Sequence, residues 1–198
     1  GRPADLSPYL TDKDKKEYIQ SYLTEGDFKD DGSIKVFPVA KATELLVVND
    51  TDWQKFAEAT GTSADEFATI EGLTAMVQRY YEWTDSLTEE PNDGRALFGR
   101  DAMANYMIIG AKQLGYDIFE TADGKTTVNL PRDVAKKLWD NYYVPYVKGF
   151  FASSGRFRSD DMKTGNVLAF VGSSAGCTFF PDHVTRSDGE SYPIEIKT

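Results

Sequence analysis

Gly172, Ser174 and Gly176 stand in the pattern G-x-S-x-G, the spacing that puts a serine nucleophile on a sharp strand-to-helix elbow in hydrolases. The five apolar residues ahead of it, Val167 to Val171, read as a buried strand. A turn of Gly, Ser and Ala after such a strand lets another group approach the backbone closely. Two chemistries therefore compete for this stretch, a catalytic elbow and a binding turn. A serine nucleophile needs a histidine to accept its proton and an acid to orient that histidine, both carried by later elements. The single histidine, His183, follows Ser174 by nine residues, next to Asp182 and just past Phe179-Phe180-Pro181. That leaves no room for the elbow's helix and the next strand. A serine hydrolase is thus the runner-up, and His183 is expected to lie exposed in a loop.

Other enzyme classes lack their residues. There is no glycine-rich phosphate loop and no dinucleotide fingerprint, so no cofactor is expected. One cysteine and one histidine do not make a zinc site, and the Asp30-Asp31-Gly32 cluster lacks the alternating ligands and closing glutamate of a calcium loop, so no metal is expected. Among 32 acidic residues no spacing nominates a glycosidase pair. With 22 basic residues against them the net charge is −10, which repels phosphate backbones, and nucleic acid is not an expected partner. Cys177 excludes an intramolecular disulfide and reads as a small buried residue. No stretch approaches the roughly 18 apolar residues of a membrane span. Gly1-Arg2-Pro3 has no apolar signal region behind it, and Ile194 to Thr198 ends in a strand-like alternation. Both suggest a mature chain or one cut from something longer.

These candidate groups need a frame. Thr11 can cap a helix that carries Tyr18, Ile19, Tyr22 and Leu23 inward to Gly26. Asp30-Asp31-Gly32 is a hairpin-type turn before a strand over Ile34, Val36 and Val39, and Glu44 to Asn49 is a strand apolar enough to be buried on both faces. Asp52 is a cap candidate for a helix bearing Trp53, Phe56 and Ala57 that stops at Gly61. Ser63 to Glu66 has capping-box spacing before a long amphipathic helix with Phe67, Ile70, Leu73, Met76, Val77, Tyr80 and Tyr81. Tyr80, Tyr81 and Trp83 could stack on a sugar, but aromatic residues at helical spacing are more often core. Ala96 to Phe98 is a short strand. Asp101 stands where an N-cap belongs, before a helix from Ala102 to Leu114 that is apolar nearly all round and so expected to be buried. A hairpin turns at Asp123-Gly124, a helix opens at Pro131 and ends near Pro145, and Ser159 can cap a short helix through Lys163. Alternating strands and helices argue for an α/β layered domain with a parallel or mixed sheet.

The binding reading uses the same residues without a missing base. Open α/β sheets place ligands at the carboxyl ends of their strands, and Phe98-Gly99-Arg100-Asp101 and Val171-Gly172-Ser173-Ser174 both have the strand-then-small-turn form.

The order of these pieces resembles one family. Phe37 to Asn49 is similar to the interlobe crossover of family 1 extracellular solute-binding proteins, the maltose-binding-protein-like receptors of ABC importers. The helix ending Tyr80-Tyr81-Glu82-Trp83, the Ala96-Leu97-Phe98 strand with its apolar helix, and Met162 to Gly176 follow in that family's order. The resemblance implies a periplasmic-binding-protein-like (type II) lobe, a mixed sheet flanked by helices. Residues 1–40 would be a partial segment of the first lobe and 41–198 the second, with crossovers near 38–46 and 191–198. It implies no enzyme but a receptor whose lobes close on a small polar solute, a sugar or oligosaccharide, and hand it to the membrane subunits of an importer. Such a receptor works outside the cell or in the periplasm, often as a lipoprotein. The ligand-facing positions it implies are Lys41, Ala42 and Thr43 at the crossover, Arg100, Asp101 and Asn105 after the short strand, and Ser173 and Ser174 in the small turn. That turn lacks the aromatic residue that many sugar-binding members place there, which points away from a maltodextrin-like ligand. An interaction module with no ligand of its own is the third reading.

Overall fold

The computed structural model describes residues 3–28, 30–123 and 125–198. The chain forms two compact units, residues 1–42 and 43–198.

In the first unit Thr11 caps α1 (Asp12–Glu17). Its hydroxyl accepts the Asp14 N–H at 3.2 Å and the Asp14 carboxylate accepts the Thr11 N–H at 2.8 Å, satisfying two donors that a helix start leaves open. The single helix expected through Leu23 is broken in two, with α2 at Gln20–Thr24. Tyr18 is extended, and the Gln20 amide donates to the carbonyls of Lys15 (2.7 Å) and Tyr18 (3.1 Å), which holds the break. Only Leu23 of the expected inward set is buried, while Ile19 is exposed. The strand expected from Ile34 to Val39 is absent. Leu6 N–H donates to the Ile34 carbonyl, Ile34 N–H to the Asp5 carboxylate and Lys35 N–H to the Gly26 carbonyl, so separate loops take the groups a ladder would need.

Asp5 ties this unit's ends together. Hydrogen bonds from the Ser7 N–H, the Ser7 hydroxyl and the Ile34 N–H hold its carboxyl down at about 2, below the ordinary 3.8. A depressed carboxylate stabilises the fold above its unfolded pKa and loses that contribution as pH falls through the folded one. Acidification from pH 4 to 2 is therefore expected to release the Ser7 and Ile34 amides, checked by their NMR chemical shifts; shifts that stay flat across this range would remove Asp5 from the role.

The second unit is built on a four-stranded sheet. Its strands are β1 (Glu44–Asn49), β2 (Ala96–Arg100), β5 (Val167–Ser173) and β8 (Ile196–Lys197), in the order β2-β5-β1-β8. β2 runs parallel to β5, and β1 runs antiparallel to both β5 and β8, so the sheet is mixed. Successive strand residues face opposite sides. Val48 packs with Trp53 and Phe56 of α3 (Asp50–Thr60) and with Leu73, Met76, Val77 and Tyr80 of α4 (Ile70–Asp85). Val47 packs on the other side with Met162 of α7 (Arg158–Lys163), Val184 of β6 (His183–Thr185) and Ile194, which follows β7 (Ser191–Pro193). A third cluster joins α5 (Met103–Gln113) and α6 (Arg132–Val147) through Tyr106, Ala111, Val134 and Leu138, beside the hairpin β3 (Phe119–Ala122) and β4 (Lys125–Val128). At the hairpin's tip Asp123 has a positive φ; the Gly124 half of the expected turn lies outside the described residues.

Several caps differ from expectation. Asn49, not Asp52, caps α3 by accepting the Asp52 N–H at 3.1 Å. Ser63 caps only a short 3-10 segment, and Thr69 caps α4 by accepting the Gly72 N–H at 3.0 Å. The N-cap of α5 is Ala102 and that of α7 is Phe157, so neither Asp101 nor Ser159 has that role. α5 is also not buried all round, since Met103, Ile108 and Ile109 are exposed. Its inner face is shaped for one neighbour: a Cβ on Gly110 would stand 2.6 Å from Leu138 of α6.

Candidate functional site

The register of the sheet brings three strand ends together. Glu44 opens β1 opposite Ser173, which closes β5, and Arg100 at the end of β2 lies beside Val171. Expected site residues from distant parts of the sequence thus meet at the carboxyl ends of β2 and β5, where open sheets hold ligands.

At their centre is a residue that the sequence reading passes over. The Glu44 carboxylate accepts a hydrogen bond from Arg100 Nη2 at 2.5 Å and another from Asn105 Nδ2 at 3.1 Å. Arg100 and Glu44 are mostly buried, with side chains 16% and 17% exposed, so the pair is screened little by water. The Arg100 guanidinium also lies over the Tyr106 ring, 5.5 Å from its centroid, and its Nε is buried without a hydrogen-bond partner among the described residues. Tyr106 donates its hydroxyl to the Leu138 carbonyl at 2.8 Å, and burial pushes its phenol up to about 12. The platform under Arg100 is therefore neutral over the whole physiological range. The signal for Glu44 was a single charged residue at the start of an otherwise apolar strand.

The small turn is pinned to the entry of β1. Ser174 N–H donates to the Thr43 carbonyl at 2.8 Å, and Thr43 N–H donates to Ser174 Oγ at 3.1 Å. Ser173 Oγ accepts the Ala175 N–H at 3.2 Å and remains on the surface. Ser174 Oγ is thus an acceptor for backbone, and among the described residues no hydrogen bond joins it to a histidine. His183 is exposed, as expected, but sits on β6 and lies 3.1 Å from Asp182. Cys177, expected to be buried, is exposed on the 3-10 segment after β5.

Asp101 is tied to α7. Its Oδ1 accepts the Arg158 N–H at 2.8 Å and lies 3.6 Å from Arg158 Nε, so it serves the first turn of α7 instead of α5. Gly172 makes room for it, since a Cβ there would come within 2.7 Å of Asp101 Oδ2. Lys41 and Ala42 belong to the first unit, where Lys41 pairs with Glu25 and lies over the Tyr22 ring at 4.4 Å. No group of three or more metal-ligating side chains occurs among the described residues.

Comparison with known proteins gives this geometry a family. The model for bacterial extracellular solute-binding proteins matches residues 1–180. No curated protein matches the chain. Among solved structures, a periplasmic solute-binding protein from Pectobacterium atrosepticum is similar over all of this chain and 47% of its own, with 16% identity and a TM-score of 0.66. UgpB from Mycobacterium tuberculosis, in complex with glycerophosphocholine, is similar over 99% of this chain and 52% of its own, at 18% identity and a TM-score of 0.57. The galacto-N-biose-/lacto-N-biose I-binding protein of an ABC transporter from Bifidobacterium longum, in complex with lacto-N-biose, covers 90% and 41%, at 14% identity and 0.56. The chain spans about half the length of these structures. At such identities they share its fold, a mixed α/β arrangement of the periplasmic-binding-protein type. With nine-tenths of its residues matched by the family's own pattern, the chain belongs to the bacterial extracellular solute-binding proteins.

Proposed function

We propose that this chain is part of the solute-capturing component of an ABC importer, and that its solute is a sugar or oligosaccharide. In this reading residues 1–40 belong to one lobe and 41–198 to the other, and the lobes close on the solute. It works outside the cytoplasmic membrane, as a periplasmic protein or a lipoprotein, and delivers to the importer's membrane subunits. The carrying observation is the Glu44–Arg100–Asn105 constellation at the strand ends, beside the Ser173 hydroxyl. Its two charges neutralise each other, leaving carboxylate lone pairs, an amide oxygen and a hydroxyl to meet a neutral, hydroxyl-rich ligand. A structure of this fold from Bifidobacterium longum was solved with lacto-N-biose, which supports a saccharide; another was solved with glycerophosphocholine, which makes that compound the comparison ligand.

The test is a thermal-shift screen of neutral saccharides and glycerophosphocholine on the longest natural chain. A cognate sugar at a hundred times its Kd is expected to add about 2.7 kcal/mol of stability. Glu44→Ala should then weaken that sugar roughly 10- to 150-fold, the equivalent of about 1.5–3 kcal/mol for a hydrogen bond to a charged group. A panel in which no neutral sugar raises the midpoint, or a Glu44→Ala variant with full affinity, would overturn the reading.

A further inference from the structure

At the other end of the same strands lies a polar groove with a cavity of about 390 Å³. It is walled by the start of β2, the loop after α6, the approach to β5 and the turn between β6 and β7. Its volume is within the range of roughly 300–1,000 Å³ of small-molecule sites, and nothing in the solute reading uses it.

Several of the groove's donors are unengaged, while its two carboxylates each hold a hydrogen bond. Arg95 lines it, half-buried, with no ion pair or hydrogen bond to its side chain among the described residues. The Ser154 and Ser187 hydroxyls and the Asn166 amide line it as well, and none has a hydrogen-bond partner there either. By contrast, the Asp93 carboxylate accepts the Thr88 hydroxyl at 2.6 Å and Asp188 accepts the Glu190 N–H at 2.8 Å. A second guanidinium, Arg186, borders the cavity, held by Glu190 at 2.6 Å and by the Tyr192 hydroxyl at 3.0 Å. A half-buried guanidinium without an ion pair, among unengaged hydroxyl and amide donors, suits a ligand that brings several acceptor oxygens and a negative charge stronger than those of the hydrogen-bonded Asp93 and Asp188 carboxylates in the same lining.

We infer that this groove is a second site, separate from the solute face, that binds a small phosphate-type oxyanion through Arg95 with Ser154, Asn166 and Ser187. The oxyanion can be free in solution or be the headgroup of a phospholipid. Arg95 presents the charge, and the hydroxyls and amide complete the oxygen shell.

The experiment titrates inorganic phosphate into the 198-residue chain, with chloride at matched ionic strength as the control, and in parallel measures co-flotation with phosphatidylglycerol vesicles. Three proteins are compared: the natural sequence, Arg95→Gln, and Arg100→Gln at the opposite strand ends. The site is expected to give saturable binding of phosphate, of vesicles, or of both. Arg95→Gln should weaken it at least tenfold with an unchanged melting midpoint, and Arg100→Gln should leave it intact. Binding of phosphate alone identifies the free anion, and binding of vesicles alone identifies the headgroup. Three results overturn the inference: no saturable binding in either arm, binding that survives Arg95→Gln, or binding lost in Arg100→Gln and kept in Arg95→Gln. Because Arg95 is remote from Glu44, none of these depends on the identity of the solute.

Discussion

Arg158→Ala is expected to lower the unfolding free energy by about 3–5 kcal/mol, the cost of leaving a buried charge without its partner. The Arg158 and Asp161 side chains are only 4% and 2% exposed, and Nη1 lies 2.5 Å from the Asp161 carboxylate. The same guanidinium donates to the carbonyls of Gly155 at 2.6 Å and Ala152 at 3.3 Å. Asp161 in turn accepts the N–H groups of Gly155 at 2.7 Å and Ser154 at 3.2 Å. Truncating the arginine strands a carboxylate among backbone amides and orphans two carbonyls. Asp101 loses only its 3.6 Å contact with Nε, since the Arg158 N–H that it accepts belongs to the backbone and remains. In urea, with a slope of about 1–3 kcal/mol/M, the midpoint should fall by at least about 1 M. The double variant Arg158→Met, Asp161→Leu should recover much of the loss, because removing both charges leaves nothing unpaired. A single variant that costs less than about 1 kcal/mol would mean that the pair is solvated and the loop is held by something else.

Phe56→Ala is expected to cost about 3–5 kcal/mol, the range for emptying a fully buried aromatic site. Phe56 has no exposed surface and touches three other rings, with centroids 5.7 Å away at Trp53, 5.2 Å at Tyr80 and 5.5 Å at Trp83. These rings join α3 and α4 to one face of the sheet, so the cavity would open under both helices. For a unit of this size the melting midpoint should drop by roughly 6–20 °C. The result also decides what the Tyr80, Tyr81 and Trp83 group is for. A solvent-facing sugar platform would tolerate the change within about 0.5 kcal/mol, whereas Tyr80 is 6% exposed and faces the core.

The central frame was readable because its strands are continuous apolar runs, and burial on both faces forces that pattern whatever the neighbours are. Helix starts were harder. Asn49, Thr69, Ala102 and Phe157 each leave helical geometry a few positions from the polar residue that sequence nominates. Which residue breaks is set by the path of the incoming chain, and for Phe157 and Ala102 no side chain is needed to accept. α5 misled for a related reason: its apolar residues go all round, but among the described residues only α6 and its surroundings cover one side, leaving Ile108 and Ile109 outside. In the site, Arg100, Asn105 and Ser173, which the family resemblance nominates, all lie beside Glu44, a residue that escaped notice. Glu44 finds its partners 56 and 61 positions further along the chain, a separation that local pattern carries no trace of. Asp101 was ambiguous between cap and ligand, and tertiary structure gave it a third task at α7.

The pair of hydrogen bonds between Thr43 and Ser174 has a mechanical side. Thr43 is the first residue of the second unit and follows Ala42 directly, so the second unit fastens its strand entry to the serine turn from its first residue onward. The β1–β5 ladder continues behind it from the Glu44–Ser173 pair, so the serine turn and the strand entry share one run of hydrogen bonds. The Ser173 hydroxyl is in this way held at a set distance from the entry of β1, by backbone pairing on one side and the Ser174 side chain on the other.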